Sequence, residues 1–283
     1  MPELPEVETM RRGVAPIAGS RIVDVHFPRC RLKPILVNPS RRSLRRRLEG
    51  LQIAAVERIG KRIVLKLSGD QVGGHALVIE PRMTGLVLLA DPPNTEHLRL
   101  GLKLDAEEIP WLWFWDRRGL GTVQLFSDEE FADRLGPRYL GPDALQVTAD
   151  ELRDRFRSSQ REIKVALLDQ KSLAGIGNLY ASEILHVAKV HPQQRCHRLT
   201  RTRWQSIHEA MQMVLTEAIR YEGSTLGDGT YRNALNQTGS YQNHHRVYNR
   251  AGDACPCCED QVIERIVQAQ RSTFFCKQCQ RRR

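Results

Sequence analysis

The amino-terminal half of the chain alternates hydrophobic and polar positions with the period of two that is typical of β-strands. Turn residues, among them Gly60, Gly119 and Pro92-Pro93, separate these runs. Many short strands separated by turns favour an antiparallel sandwich or barrel. The pattern predicts strands at residues 21–27, 53–59, 62–67, 76–79, 86–89, 98–104, 111–115 and 122–126. It also predicts a helix from residue 6 to near 13 and a basic helix over 41–48, which we interpret as a solvated surface.

The hydrophobic period changes to that of helices after a boundary near residue 140, where Gly141-Pro142 follows. Thr148-Ala149-Asp150-Glu151 has the spacing of a capping box and begins a predicted helix. Further helices are predicted at about 160–168, 178–187 and 201–221, and the last has an apolar face. Residues 223–243 show no clear period and are rich in Gly, Ser, Thr and Asn, so a mobile loop is predicted there.

The charge of the chain narrows its possible partners. It has 283 residues and a formal net charge of +10. Such a basic chain usually binds a polyanion, and nucleic acid is the first candidate. An anionic membrane surface is the second, but the sequence shows no lipidation signal, no apolar run that could span a bilayer and no signal peptide. We therefore expect a cytoplasmic, reducing compartment and no membrane partner.

The cysteines are concentrated near the carboxy terminus. Cys255 and Cys258 form one C-x2-C pair, and Cys276 and Cys279 form a second, with a spacing typical of paired zinc knuckles. In a reducing compartment, cysteines clustered in this way are more often metal ligands, although disulfide bonds between them are an alternative. Four thiolates suit one structural, tetrahedral Zn²⁺. Strands are predicted at residues 262–267 and 271–275, so the metal would hold a β-hairpin at both ends, with Cys257 as a bystander.

The first six residues, Met1-Pro2-Glu3-Leu4-Pro5-Glu6, combine an unusual terminus with two carboxylates. Methionine aminopeptidases remove Met1 when the next residue is small, which would leave the secondary amine of Pro2 free. An α-amino group has an ordinary pKa of about 7.7–8.0, so part of it is unprotonated near neutral pH. Such an amine is a nucleophile, and Glu3 or Glu6 would supply an acid. The alternative is that Pro and Glu simply begin a helix, where both are favoured.

Residues 1–9, Met-Pro-Glu-Leu-Pro-Glu-Val-Glu-Thr, resemble the amino terminus of the formamidopyrimidine-DNA glycosylase family, which repairs oxidised purines. Gly60-Lys61-Arg62-Ile63, Arg82-Met83-Thr84-Gly85 and residues 115–121, 167–171 and 175–183 resemble further family motifs, in order. The resemblance implies an α+β multidomain fold. Its parts would be a two-layered antiparallel β-sandwich over 1–140, a helix–two-turns–helix domain over 145–235 and a zinc-finger β-hairpin over 245–283.

The resemblance also implies a bifunctional DNA glycosylase/AP lyase that acts as a monomer on damaged double-stranded DNA. Its catalytic residues would be Pro2, Glu3 and Lys61, with Glu6 in support. Met83, Arg118 and Leu120 would fill the space left by the everted base, and Lys164, Asn178 and Arg271 would contact DNA phosphates. Cys255, Cys258, Cys276 and Cys279 would bind one structural Zn²⁺, with no redox cofactor.

Two segments depart from the family pattern. Leu120 stands where the family has a phenylalanine, and a leucine stacks less well than an aromatic ring. Gly119 replaces a basic residue and is expected to loosen its loop. Only the Gly223–Leu226 start of the family's lesion-covering loop matches. Three alternatives stay open: an endonuclease VIII-type glycosylase for oxidised pyrimidines, a lesion-binding protein without catalysis, and a general zinc-ribbon binding module.

Overall fold

The computed structural model describes residues 2–69, 72–227 and 229–282. The chain divides into two compact units: residues up to Gly136 together with Tyr221–Ser240, and Pro137–Arg220 together with the residues from Tyr241 onward. The second domain was predicted to continue to residue 235, whereas this division assigns its last part, from Tyr221, to the first unit. In the described parts of the chain, no helix has the length and apolar character needed to cross a membrane.

The first unit contains two β-sheets. The described strands form a five-stranded sheet in the order β2-β9-β5-β4-β3 and a four-stranded sheet in the order β1-β7-β8-β6. The strands are β1 (Ile22–His26), β2 (Leu36–Asn38), β3 (Gln52–Ile59), β4 (Arg62–Gly69), β5 (Val72–Glu80), β6 (Gly85–Leu88), β7 (Leu98–Leu104), β8 (Trp111–Asp116) and β9 (Thr122–Ser127). The predicted two-layered β-sandwich is therefore confirmed.

The core of this unit lies between the sheets. It contains alternate strand residues such as Leu65, Leu77 and Phe114, all nearly inaccessible to solvent. Helix α1 (Leu4–Val14) contributes Val7, Met10 and Val14 to the same core. Helix α1 is therefore a fixed part of the sandwich and not a loose terminal segment.

Two further helices cover the sheets. Helix α2 (Arg41–Leu48) buries Leu44 and Leu48 and exposes its arginines, as predicted. Helix α3 (Asp128–Leu135) was not predicted, and it packs on the outer face of β5 and β9. The sequence pattern also missed β2, which pairs in parallel with β9, whereas every other strand pair in the described chain is antiparallel. Because β2 spans Leu36–Asn38 and is largely exposed, it has no period to detect.

The second unit is helical and ends in a β-hairpin. Its helices are α4 (Ala149–Phe156), α5 (Ile163–Leu167), α6 (Asn178–Val187) and α7 (Arg201–Arg220), and its strands are β10 (Glu264–Gln268) and β11 (Arg271–Phe275). Thr148 caps α4 in the predicted capping box. Helix α5 begins later than predicted, because residues 160–162 are extended or bent and precede its first turn.

Candidate functional site

The start of helix α1 forms a buried carboxylate cluster. Glu3 and Glu6 are 3% and 2% exposed, and Pro2 is also buried. The Glu3 backbone N–H donates to Glu6 Oε2 at 2.9 Å. This bond fixes the backbone one residue after Pro2. The predicted removal of Met1 concerns a residue outside the described part of the chain.

Glu6 also binds the segment Tyr221–Ser240. The Ser224 backbone N–H donates to Glu6 Oε1 at 2.9 Å. The preceding residue, Gly223, has a φ of +78°, and a Cβ atom there would lie 2.9 Å from the Glu6 side chain. A glycine therefore allows this close approach of the backbone. The predicted lesion-covering loop thus begins at a residue held by the carboxylate of α1.

Tyr231 gives the same segment a second attachment to α1. Its hydroxyl donates to the carbonyl oxygens of Glu6, at 3.3 Å, and Glu222, at 2.9 Å. Burial, followed by the charge of Glu6, raises the pKa of Tyr231 well above its ordinary value, so the hydroxyl keeps its proton and remains a donor. Sequence analysis did not single out this residue, because an isolated tyrosine in an aperiodic stretch carries no signal.

Lys61 lies at the turn between β3 and β4 and is half-buried. The adjacent Gly60 has a φ of +55°. Arg58 connects this hairpin to α1, because its Nε donates to Glu8 Oε2 at 3.0 Å and its Nη1 donates to the Gly60 carbonyl at 2.9 Å. The hairpin that carries Lys61 is therefore attached to the helix that follows Pro2.

Glu8 is the carboxylate that receives this hairpin. Burial raises its pKa, but hydrogen bonds from Arg11 and Arg12 and the charge of Arg58 outweigh the burial, so the net pKa lies below the ordinary value. The carboxylate is therefore charged at neutral pH, as its ion pairs with these arginines require.

Asp116 connects the two turns that carry Met83 and Arg118. It is fully buried, and its carboxylate accepts from the hydroxyl of Thr84 and from the backbone N–H of Arg118, at 3.2 Å, and of Gly121, at 2.8 Å. Because the same side chain holds both turns, their positions depend on each other. Asp116 was part of a recognised motif, but sequence analysis gave it no role.

The side chains on these turns are accessible. Arg118 is exposed, and Met83 and Leu120 are partly buried. Gly119 has a φ of +61°, and a Cβ atom there would lie 2.1 Å from the carbonyl oxygen of Lys33. The fold therefore requires glycine at this position, which is a structural reason for the departure noted in the sequence.

The second unit contains a buried lysine. Lys164, on α5, is 1% exposed, and its Nζ donates to Asn178 Oδ1 at 2.7 Å, to the Ser272 carbonyl at 2.9 Å and to Thr273 Oγ1 at 2.7 Å. Asn178 Nδ2 also donates to the Ser272 carbonyl at 3.0 Å. The lysine therefore joins the start of α6 to strand β11. Direct contact between Lys164 and a phosphate would require its side chain to leave these partners.

Arg271 is exposed at the start of β11, next to the turn formed by Ala269 and Gln270, both of which have positive φ. Asn178 at the start of α6 and Ser272, the residue after Arg271, thus belong to one hydrogen-bonded assembly within the second unit.

Gln170 holds the turn that precedes α6. Its Nε2 donates to the Ile176 carbonyl, and its Oε1 accepts from the Gly175 N–H.

Glu183, on α6, was missed by sequence analysis. It is completely buried and accepts the backbone N–H groups of Arg246, Val247 and Tyr248 at 2.8–2.9 Å. Burial raises the pKa of this carboxyl despite those donors. The carboxyl thereby holds the segment that leads into the hairpin. Only its position on a buried helix face would have suggested such a role.

The four predicted ligand cysteines come together. The ligand atoms of Cys255, Cys258, Cys276 and Cys279 all lie within 4.8 Å of one another. The Sγ atoms of Cys255 and Cys279 are 3.8 Å apart, and those of Cys258 and Cys276 are 3.7 Å apart. Zn–S bonds of 2.3 Å in a tetrahedron give a sulfur–sulfur distance of about 3.8 Å. The cluster therefore fits a tetrahedral metal ion, and Cys257 is exposed and lies outside it.

The chain is similar to known proteins over most of its length. Residues 1–123 match the N-terminal domain of formamidopyrimidine-DNA glycosylases, and residues 140–229 match the formamidopyrimidine-DNA glycosylase H2TH domain. The formamidopyrimidine-DNA glycosylase of Chloroflexus aurantiacus is 38% identical, over 99% of this chain and 98% of that protein. The one from Solibacter usitatus is 37% identical over the whole of both chains.

Solved structures agree with these matches. The Lactococcus lactis enzyme in complex with DNA containing an abasic site superposes with a TM-score of 0.86 and 31% identity, over 99% of this chain and 100% of that one. The wild-type Lactococcus lactis enzyme in complex with DNA containing N7-benzyl-Fapy-dG gives the same values. The chain therefore belongs to the formamidopyrimidine-DNA glycosylase family of DNA glycosylases and AP lyases.

Proposed function

We propose that the chain is a bifunctional glycosylase/AP lyase of base excision repair that removes oxidised purines, such as 8-oxoguanine and formamidopyrimidines, from double-stranded DNA. The fixed start of α1 carries this proposal. Chain termini are usually loosely ordered, yet Pro2 and Glu3 are buried here and the Glu3 N–H is bound by Glu6. A nucleophile needs a defined position, and this arrangement supplies one.

The first half of the reaction removes the base. The target nucleotide must leave the base stack, because its C1′ atom is inaccessible within the duplex. The free amine of Pro2, once Met1 has been removed, attacks C1′, and the glycosidic bond breaks as the base departs. Glu3 protonates the deoxyribose ring oxygen, and the ring opens. The positive end of the α1 dipole disfavours a second positive charge nearby, which favours the uncharged, nucleophilic form of the amine.

The second half cuts the strand. Loss of the ring oxygen from C1′ leaves an iminium bond, a Schiff base, between C1′ and the Pro2 nitrogen. Removal of a C2′ proton expels the 3′ phosphate by β-elimination, and a second proton loss expels the 5′ phosphate by δ-elimination. Water then hydrolyses the iminium and returns the free amine. We assign Lys61 a supporting part at this site, because its hairpin is attached to α1 through Arg58.

The remaining predicted residues bind DNA. Met83, Arg118 and Leu120 would occupy the space left by the everted base, on turns that Asp116 holds together. Asn178, Arg271 and the start of α6 would contact phosphates, which suit exposed cations and the backbone N–H groups at a helix N-terminus. Lys164 would contribute its charge from beneath this surface. The solved Lactococcus lactis complexes with damaged DNA support DNA as the partner.

We further propose that the four cysteines bind one structural Zn²⁺. When bound, the ion holds the two ends of the β10–β11 hairpin together, because Cys255 and Cys258 precede β10 and Cys276 and Cys279 follow β11. All four ligand positions are taken by sulfur, so the site is structural and not catalytic. A monomer in the cytoplasm is sufficient for this single-site reaction.

Borohydride trapping tests the mechanism. The protein is mixed with a duplex that carries 8-oxoguanine opposite cytosine, and borohydride is added to reduce the iminium to a stable amine. We expect a covalent protein–DNA adduct, located at Pro2 by mass spectrometry of the digested protein. Pro2→Gly should suppress its yield. Pro16→Gly, which removes an exposed proline of the same unit but leaves the secondary amine of Pro2 intact, should not.

Other outcomes would favour the alternatives. Binding without an adduct would indicate a lesion-binding protein or a zinc-ribbon module. A larger yield with an oxidised pyrimidine would indicate endonuclease VIII-type specificity. An adduct that mass spectrometry locates away from residue 2 would place the nucleophile elsewhere.

A further inference from the structure

His186 contacts the cysteine cluster from outside its four sulfur ligands. It lies on α6 and is 4% exposed. Its Nε2 atom is 3.5 Å from Cys255 Sγ, although the two residues are 69 positions apart in the sequence. This is the distance of a hydrogen bond between nitrogen and sulfur, so the contact joins helix α6 to one of the two knuckles.

The surroundings of the ring decide which atom carries the proton. The Nδ1 atom of His186 is buried and has no hydrogen-bond partner among the described residues. A proton on Nδ1 alone would therefore leave a buried N–H unpaired and would turn the Nε2 lone pair toward sulfur. A metal-bound cysteine is a thiolate, which accepts hydrogen bonds. The arrangement is favourable when Nε2–H donates to Cys255 Sγ.

The other N–H donors to these sulfurs are local. The Cys257 N–H donates to Cys255 Sγ at 3.4 Å, and the Cys279 N–H donates to Cys276 Sγ at 3.5 Å. Four thiolates around one divalent cation carry a net charge of about −2, so each donor stabilises the loaded site. His186 adds a donor from a different element, and it does so from the rigid framework of a helix.

The same helix holds the other end of the hairpin. At the start of α6, Asn178 donates to the carbonyl of Ser272 in β11. Near its other end, His186 contacts Cys255. The helix therefore fixes both the strand that begins with Arg271 and the knuckle that would bind the metal.

We propose that His186 is a positioning residue for the metal site, in which Nε2–H donates to the Cys255 thiolate, orients it and strengthens metal binding. This inference rests on the zinc site proposed above. Groups in this outer position commonly change metal affinity by about 10–100-fold when they are removed.

Metal competition on the full chain tests the proposal without DNA. Metal content is measured first, and a chromogenic chelator of known affinity then competes for the zinc. His186→Phe keeps a ring but loses the donor, and we expect its zinc affinity to fall by about 10–100-fold. His186→Gln, which restores an N–H donor, should recover part of the loss.

A matched control is available in the same unit. His208 Nε2 is bonded to the Val147 carbonyl at 2.9 Å, so His208→Phe removes a comparable hydrogen bond to oxygen instead of sulfur. Its zinc affinity should equal that of the parent. An equal loss in His208→Phe, an unchanged affinity in His186→Phe, or a parent protein without bound metal would overturn the proposal.

A spectroscopic measurement on the parent chain removes any dependence on how the variants fold. In the cadmium-113-substituted protein with ¹⁵N-labelled histidine, the His186 Nε2 proton should show scalar coupling to the metal through sulfur. A ring protonated on Nδ1 alone would refute the proposal. These readouts do not involve the Pro2 amine, so failure here and failure of borohydride trapping are distinguishable.

Discussion

The Glu6 carboxylate joins the backbone N–H of Glu3, at the start of α1, to that of Ser224, which lies 218 residues further along the chain than Glu6. Oε2 accepts the bond from Glu3 and Oε1 accepts the bond from Ser224, and both are 2.9 Å long. The residue beside the proposed nucleophile and the start of the proposed lesion-covering loop therefore depend on one side chain. Any change in this carboxylate should affect both.

We first consider the substitution Glu6→Ala. It removes the carboxylate acceptor of two buried N–H groups, and each loss costs about 1–3 kcal/mol, so the free energy of unfolding should fall by about 2–6 kcal/mol. Hydrogen exchange provides the specific readout, because the Ser224 amide should lose its protection. Glu6→Gln keeps one acceptor oxygen and should show a smaller effect. A Ser224 amide that exchanges as slowly as in the parent would contradict this role.

Asp116→Asn tests the link between the turns that carry Met83 and Arg118. An amide has one acceptor oxygen, so at least one of the N–H groups of Arg118 and Gly121 loses its charged partner. We expect a loss of about 1–3 kcal/mol in stability and weaker binding to a duplex with an abasic site. Asp133→Asn, at an exposed position on α3, is the control and should bind normally. Normal binding by Asp116→Asn would show that the turns hold their positions without it.

The pH dependence of stability provides a third test, at His245. Burial, followed by the charge of Arg250, lowers the pKa of His245 from 6.5 to about 4. The unfolded chain therefore binds a proton at a higher pH than the folded one, and stability falls as the pH decreases from about 6.5 toward 4. Between pH 7 and pH 5, protonation of this single histidine should lower the free energy of unfolding by about 2 kcal/mol.

Urea unfolding of the parent and of His245→Phe at the two pH values measures this contribution. The variant should lose less stability than the parent between pH 7 and pH 5. His197→Phe, at an exposed position of the same unit, should behave as the parent does. Equal pH dependence in the parent and in His245→Phe would refute the assignment.

Arg271→Ala tests the hairpin as a phosphate contact. Loss of one phosphate contact should weaken binding uniformly across lesions and reduce the slope of log affinity against log salt by about 1. Arg265 lies on the neighbouring strand and pairs with Phe274, so its side chain projects from the opposite face of the hairpin. Arg265→Ala should leave the slope unchanged. A lesion-dependent effect of Arg271→Ala would instead indicate that Arg271 reads the base.

Much of the fold followed from local patterns. The boundaries of α2 and α6 were predicted as the structure has them, because a periodic apolar face or a glycine pair marks them. The cysteine spacing likewise led to the cluster. Strand β2 and helix α3 were missed, since β2 is short and α3 has no fully buried residue, only the partly buried Phe131 and Leu135.

The buried polar residues were the main omission. Asp116, Glu183 and His186 act through partners that lie far away in the sequence or on backbone groups, and no spacing in a single sequence reveals such pairs. Glu6 was predicted as a supporting group, but its bond to Ser224 depends on a contact across 218 residues. Sequence patterns locate chemical groups, whereas tertiary structure decides which of them meet.

The allocation of Tyr221–Ser240 to the first unit has a practical consequence for dissecting the protein. Tyr231 and Ala234 lie in the core of the sandwich, and the Leu89 N–H donates to the Ala234 carbonyl. A fragment that ends at Gly136 would lack Tyr231 and Ala234 and would expose the apolar surface that they cover. Truncation after Gly136 is therefore not enough to isolate the first unit, because residues 221–240 must be kept with it.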